Sequence, residues 1–143
     1  MPPLVRRYLR TAIAFLAIGL ALGVWIMAAR EFGVGLPARA ISAHTHVLLV
    51  GFVMFMICGV ALWMFPRPAK DDARYRPERA EAAYWCLAIG TAGRAAIEMI
   101  ARMPAPAPWR MILVACGVAQ AVGLLLFFTT MLPRIRSTLA SPR

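Results

Sequence analysis

The chain has two histidines, His44 and His46, and they stand two positions apart. They lie near the start of a stretch from Ala40 to Pro66 that has no charged side chain. A stretch this long and apolar is typical of a membrane span, where titratable side chains are costly unless something binds them. A neutral imidazole is a good ligand for iron and other metals. The pattern therefore predicts that these histidines hold a metal or a metal cofactor.

Two imidazoles two positions apart on a helix point about 200° away from each other. His44 and His46 therefore cannot ligate the same ion or the same face of a cofactor from a regular helix. The face below His44 carries Gly51 and Gly59, which leave room for another helix or for a flat macrocycle. The spacing favours His44 as the metal ligand, and it leaves His46 to contact a propionate, a neighbouring group or another subunit.

The composition indicates a membrane protein. Hydrophobic residues make up 62% of the 143 residues, which is well above their share in an average soluble domain. The mean hydropathy is +0.70. The net charge of +10 comes from arginines that flank apolar blocks, as membrane-edge anchors do. No nucleic-acid reader motif remains outside these blocks, which argues against nucleic-acid binding. The three cysteines form no Cys-x-x-Cys motif, so covalent haem attachment and a structural zinc site are unsupported.

The apolar blocks predict a single transmembrane domain (residues 1–143) with four spans, at about residues 11–29, 43–65, 82–102 and 111–132. Proline at position 133 is expected to end the last span. Eleven basic residues lie in the N-terminus, the 67–81 loop and the C-terminal tail, against four in the other two loops. The positive-inside rule then puts both termini in the cytoplasm. We expect an all-α, up-down four-helix bundle in the cell inner membrane.

The third and fourth spans contain polar residues. Arg94 and Glu98 lie four residues apart, on one helical face, where they can partly neutralise each other. An intramembrane ionisable pair indicates either a functional site, for proton movement or for polarising a cofactor pocket, or a structural ion pair. Gln120 in the fourth span is expected to make an interhelical hydrogen bond.

The stretch from Ala43 to Val53, which continues through Gly59-Val60-Ala61 to Phe65-Pro66-Arg67, resembles the second helix of haem–copper oxidase catalytic subunits. It is similar in particular to nitric oxide reductase and cbb3-type members, and closer still to short four-helix relatives of cbb3-type oxidase subunit I. In the large enzymes the histidine before the threonine ligates a low-spin b-type haem, and that position is His44 here. The resemblance implies a membrane protein that binds haem b through His44.

The chain also departs from the family pattern. An asparagine of the large-enzyme pattern aligns with His46, an asparagine of the short pattern with Leu48, and a late Tyr-His pair with Leu62-Trp63. An arginine expected three positions before the histidine is missing, and the nearest is Arg39. The partner histidine of the low-spin haem and the three copper-ligand histidines lie on later helices in the large enzymes. These 143 residues contain no such histidines, so they do not form a complete oxygen- or nitric oxide-reducing centre, and whether the protein is an enzyme stays open.

Six-coordinate haem iron would need a second axial ligand. One source is a methionine at the outer level, namely Met27, Met99, Met103 or Met111. A second is a histidine of another subunit, with the haem at an oligomer interface, and a third is an open position that binds a diatomic gas. Guanidinium groups can grip haem propionates, or equally lipid phosphates. On the outer side these are Arg39, Arg102 and Arg110.

Three functions fit these residues. The first is a b-type haem protein used for electron transfer or for sensing or handling oxygen or nitric oxide. The second is a non-catalytic membrane subunit or assembly partner of a larger respiratory complex, docked through the Gly-x-x-x-Gly face of Gly19 and Gly23 and through its basic loop. The third is a copper protein that uses His44, His46 and nearby methionines, which no paired-Cys or Met-x-x-Met motif supports. We expect membrane lipid around the chain, and a homo-oligomer or larger membrane complex.

Overall fold

The computed structural model describes residues 1–65, 76–101 and 104–137, and within these ranges the chain is helical. Four long helices follow one another: α1 (Pro3–Glu31), α2 (Ala40–Met64), α3 (Pro77–Ile100) and α4 (Ala107–Ser137). α1 and α3 each begin at a proline, whose missing N–H costs nothing in the first turn. The predicted all-α class is confirmed.

By length and apolar composition, three of the described helices could cross a membrane: α1, α2 and α4. α3 forms where the third span is predicted, but it begins five residues earlier, within the charged segment. Charges in its first turns, at Glu78, Arg79 and Glu81, together with Arg94 and Glu98, keep it less apolar than the other three.

α4 does not end where the sequence analysis expects it to end. The helix continues through Pro133 to Ser137, so the prediction that this proline ends the helix is wrong. A proline inside a helix removes one N–H and one hydrogen bond, but packing against neighbouring helices can compensate for the loss. Here Arg134, the next residue, donates from Nη1 to the carbonyl oxygen of Leu62 on α2, at 3.1 Å, and ties the extra turn to the rest of the molecule.

α2 changes its helical geometry directly after the histidines. Residues Ala40–His46 are α-helical, Val47–Met54 form a π-helix, and Phe55–Met64 return to α-helix. In a regular α-helix, residues four apart drift by about 40° at each step. The wider π turns offset this drift. As a result Ala43, Val47, Gly51 and Phe55 are all buried along one face of α2. π-helical segments are rare and are frequent at functional sites.

Each helix packs against the next one along the chain, and the contact between α3 and α4 is the most extensive. Gly90 and Gly93 of α3 lie at this contact: a Cβ on Gly90 would lie 2.8 Å from the carbonyl oxygen of Cys116. Small residues let helices in membranes approach this closely. Gln120 donates to the hydroxyl of Thr91 across the same contact, at 3.1 Å, which confirms its predicted interhelical hydrogen bond.

Aromatic rings hold one end of the helix assembly together. Tyr8 of α1 is fully buried, with its ring centroid 5.5 Å from Phe55 of α2, 5.2 Å from Tyr84 of α3 and 6.1 Å from Phe127 of α4. Its hydroxyl donates to the carbonyl oxygen of Ala80, at 3.0 Å. We call these four rings the aromatic cluster and this end the aromatic end; the starts of α1 and α3 and the ends of α2 and α4 meet there.

Candidate histidine site between α1 and α2

His44 lies at the opposite end of the assembly, which we call the histidine end, against α1. Its Nδ1 lies 3.0 Å from the backbone carbonyl oxygen of Gly19. A carbonyl oxygen can only accept, so Nδ1 carries the hydrogen and donates. The neutral ring then keeps a lone pair on Nε2. A backbone carbonyl that fixes the tautomer of an imidazole in this way is the usual support for a metal-binding histidine.

Two glycines of α1 make room for α2 and for the imidazole. A Cβ added to Gly19 would collide with Leu48, and a Cβ added to Gly23 would lie 2.9 Å from Cε1 of His44. The Gly-x-x-x-Gly spacing therefore serves a close contact within the chain, as such spacings do between membrane helices. Because α2 covers both glycines, this face does not offer the docking surface that the second hypothesis assigns to it.

A cavity of about 380 Å³ opens beside His44, between the end of α1 and the start of α2. Met27 and Arg30 of α1 and Ile41 of α2 line it together with the imidazole. Its volume lies within the range of small-molecule sites. The cavity thus combines a nitrogen ligand, a thioether, a guanidinium group, the carboxylate of Glu31 and apolar walls.

His46 makes a different contact. Its Nδ1 donates to the carbonyl oxygen of Ser42, four residues earlier, at 2.9 Å. His46 is half-buried and does not line the cavity beside His44. The two imidazoles therefore have separate surroundings, although both keep Nε2 as a potential acceptor or ligand atom.

Gly51, Arg39 and Arg110, the other predicted site residues within the described part of the chain, do not line the cavity beside His44. The space above Gly51 is filled by the ring of Phe15, whose Cγ would lie 2.6 Å from an added Cβ, so another helix and not a macrocycle lies there. Arg39 and Arg110 line a second, much smaller hollow with Trp109. Arg102 lies outside the described residues.

The methionines considered as second axial ligands differ in position. Met27 lines the same cavity as His44. Met99 is half-buried on α3, and Met111 is exposed on α4. Met103 lies outside the described residues. Of the three methionines that the structure describes, Met27, although 61% exposed, is the one that lines the same cavity as His44.

A polar cluster joins α2 and α3 at the same end. Ser42 donates to Oε1 of Glu98 at 2.8 Å, and Nε of Arg94 donates to the same oxygen at 3.2 Å. Glu98 is almost fully buried, with 1% of its surface exposed. The predicted Arg94–Glu98 pair thus exists as an ion pair. Ser42 is the partner that sequence reasoning missed, because only tertiary contact brings residue 42 beside residue 98.

Among the described residues, no group of three or more His, Cys, Asp or Glu side chains could hold a bare metal ion. Haem is a different case, since the macrocycle supplies four nitrogens and the protein needs to supply one axial ligand. A tautomer-fixed imidazole beside a partly apolar cavity fits that requirement. The sequence shows the four-residue spacing of Gly19 and Gly23, but it does not predict the contact of Gly23 with His44.

The chain matches the family described as Cytochrome C and Quinol oxidase polypeptide I over residues 3–141. It spans nearly the whole chain and confirms the predicted relation to subunit I. No curated protein and no solved structure matches the chain significantly.

Proposed function

Because the chain belongs to the cytochrome c and quinol oxidase polypeptide I family, we propose that it is a multi-pass membrane protein that binds haem b and serves electron transfer or the sensing or handling of a diatomic gas. Members of this family bind haem. The observation that carries the proposal is the hydrogen bond from Nδ1 of His44 to the Gly19 carbonyl oxygen, which leaves Nε2 with a lone pair on a residue that lines a cavity.

His44 would hold the iron, and a bound haem would supply one-electron chemistry and a position for a gas ligand. The residues of the chain do the rest. Gly19 fixes the tautomer of the imidazole, and Gly23 leaves space for the ring. Met27 and Arg30 line the cavity, where the thioether would be available as a second ligand for the iron and the guanidinium would neutralise a propionate.

The remaining predicted site residues keep supporting roles in this proposal. Arg39, Arg102 and Arg110 would meet propionates or lipid phosphates at the histidine end. His46, with its own hydrogen bond to Ser42, would contact a propionate or a second subunit. Phe15 lies against Gly51, so we assign Gly51 to helix packing and not to the haem.

We also propose that the four helices form an up-down bundle in the inner membrane with both termini in the cytoplasm. The excess of basic residues in the N-terminus, the 67–81 loop and the C-terminal tail supports this orientation. The ring contacts at the aromatic end, which bring together the starts of α1 and α3 and the ends of α2 and α4, support the alternating direction. His44 would then lie near the outer surface.

An optical spectrum tests the haem assignment. Protein purified from haem-replete cells should show a Soret band, and His44→Ala should abolish it because the axial nitrogen is lost. His46→Ala removes an imidazole but leaves the proposed iron ligand in place, so this comparison variant should keep the band. A colourless wild-type protein would refute haem binding, and copper without iron in an elemental analysis would favour the copper alternative.

The same preparation separates the possible roles of the iron. A spectral change of the reduced protein with carbon monoxide indicates an open position and favours gas handling. An unchanged spectrum indicates two axial ligands and favours electron transfer. The alternative is a non-catalytic subunit or assembly partner of a larger respiratory complex. It is favoured by the small number of histidines, since the two in these residues are too few for a complete reducing centre. It predicts that a larger complex co-purifies with both His44→Ala and His46→Ala.

A further inference from the structure

Three consecutive residues at the start of α2 point toward three different parts of the molecule. Ser42 donates to Oε1 of Glu98 on α3, at 2.8 Å. Ala43 is fully buried, and Nδ1 of His44 lies 3.0 Å from the carbonyl oxygen of Gly19 on α1. Successive side chains of a helix point about 100° apart. Ala43 therefore faces the interior of the helix assembly, with α3 on one side of it and α1, which His44 contacts, on the other.

A regular α-helix would place His44, and not Ala43, on the interior face. Phe55 marks this face, because it is fully buried and its ring centroid lies 5.5 Å from that of Tyr8 on α1 and 5.8 Å from that of Tyr84 on α3. His44 precedes Phe55 by eleven positions. Eleven residues of regular α-helix turn by about 1100°, within about 20° of three whole turns. Without a change in helical geometry, His44 would thus point the same way as Phe55.

The π-helix Val47–Met54 changes which residues face the interior. Its hydrogen bonds join residues five apart, so its turns hold more residues than α-helical turns, and the side chains rotate less from one residue to the next. The interior face therefore moves back by one position in the first part of α2. Ala43 and Val47 are buried there, whereas His44 and Leu48 are only half-buried.

The cavity beside His44 lies on the flank toward which this rotation turns the imidazole. Within the described part of the chain, all the residues that line it belong to α1 or α2. Two of them, Met27 and Ile41, are 61% and 52% exposed. We propose that the π-helix Val47–Met54 turns His44 out of the interior and onto the α1–α2 flank, so that a group held by this imidazole binds on the outside of the helix assembly. The identity of this group as haem rests on the proposed function, but the orientation of the ring does not.

A one-residue deletion tests this role of the π-helix. Leu49 lies inside the π-helix and is 56% exposed, so its deletion removes the additional residue with little loss of packing and should restore a regular α-helix. His44 should then turn toward the interior and lose its contact with Gly19. Deletion of Gly35, which precedes α2 and has no atom within 4 Å of an added Cβ, is the control, because it leaves the rotation between His44 and Phe55 unchanged.

Solid-state NMR of the full chain in lipid bilayers reports this contact without haem. In a His46→Ala background, His44 is the remaining histidine, and its ¹⁵N-labelled ring should show a dipolar contact with a ¹³C-labelled glycine carbonyl. The contact should persist on deletion of Gly35 and disappear on deletion of Leu49. A contact that persists in folded protein lacking Leu49 would overturn the proposal.

Cysteine labelling gives a second measurement if the protein lacking Leu49 does not fold, which circular dichroism would reveal. Ala43→Cys and His44→Cys both leave the π-helix intact. Beyond the three native cysteines, a maleimide reagent should label His44→Cys more than Ala43→Cys, since position 44 lines a cavity and position 43 is buried. Equal or greater labelling of Ala43→Cys would contradict the proposed orientation. A colourless wild-type protein in which the NMR contact is intact would refute the haem assignment alone.

Discussion

The aromatic end and the histidine end of the molecule differ in how completely their buried groups are packed and hydrogen-bonded. At the aromatic end, Tyr8 contacts a ring on each of the other three helices, and its hydroxyl has a backbone acceptor. At the histidine end, a cavity opens beside His44, and Oε2 of Glu98 has no hydrogen-bond donor among the described residues. We infer that the aromatic end stabilises the helix assembly and that the histidine end leaves side-chain atoms free to bind a ligand.

The largest expected effect tests the stabilising end. Phe55→Ala removes a fully buried ring that packs on Tyr8 and Tyr84, and it should lower the free energy of unfolding by about 3 kcal/mol because a cavity remains. Thermal unfolding in detergent measures the change. Phe128→Ala, an exposed ring on α4, should cost far less. Loss of the haem band in folded Phe55→Ala protein would contradict the separate roles of the two ends.

An intermediate effect tests the histidine end. Gly23→Val places a side chain against Cε1 of His44, where an added Cβ would lie at 2.9 Å, and displaces the imidazole. We expect haem content to fall about tenfold, equivalent to about 1.4 kcal/mol of binding free energy, while helicity is kept. Gly35→Ala, with no neighbouring atom within 4 Å of the added Cβ, is the control. An unchanged haem spectrum in Gly23→Val would remove the imidazole of His44 from the proposed site.

The smallest effect concerns the surface of the aromatic end. Arg7 donates to Glu81 at 2.6 Å and lies 5.5 Å from the centroid of the Tyr84 ring, but 41% and 49% of the two charged side chains are exposed. Arg7→Ala should therefore lower the free energy of unfolding by about 0.5 kcal/mol. The difference from the wild type should shrink at high salt, which screens exposed pairs. A loss as large as that of Phe55→Ala would mean that charge, and not ring packing, holds this end together.

The sequence by itself determined the helices and the chemistry of the candidate site. Apolar length predicted α1, α2 and α4, and the histidine motif predicted the family relation that the match over residues 3–141 confirms. The four-residue spacing of Arg94 and Glu98 predicted an ion pair on one helix, and Gln120 predicted an interhelical hydrogen bond; both form. These features follow from hydropathy, helical periodicity and residue type, all of which are properties of neighbouring positions in the chain.

Only the tertiary structure decided which atoms meet. It showed that Gly23 makes room for His44, that Ser42 binds Glu98, and that Phe15 fills the space above Gly51. It also showed the π-helix after His46 and the continuation of α4 through Pro133, both of which local rules miss. Contacts between residues far apart in the chain, such as His44 and Gly19 at 25 positions and Arg134 and Leu62 at 72, depend on how whole helices pack. Spacing within one helix carries no record of the helix that will lie against it.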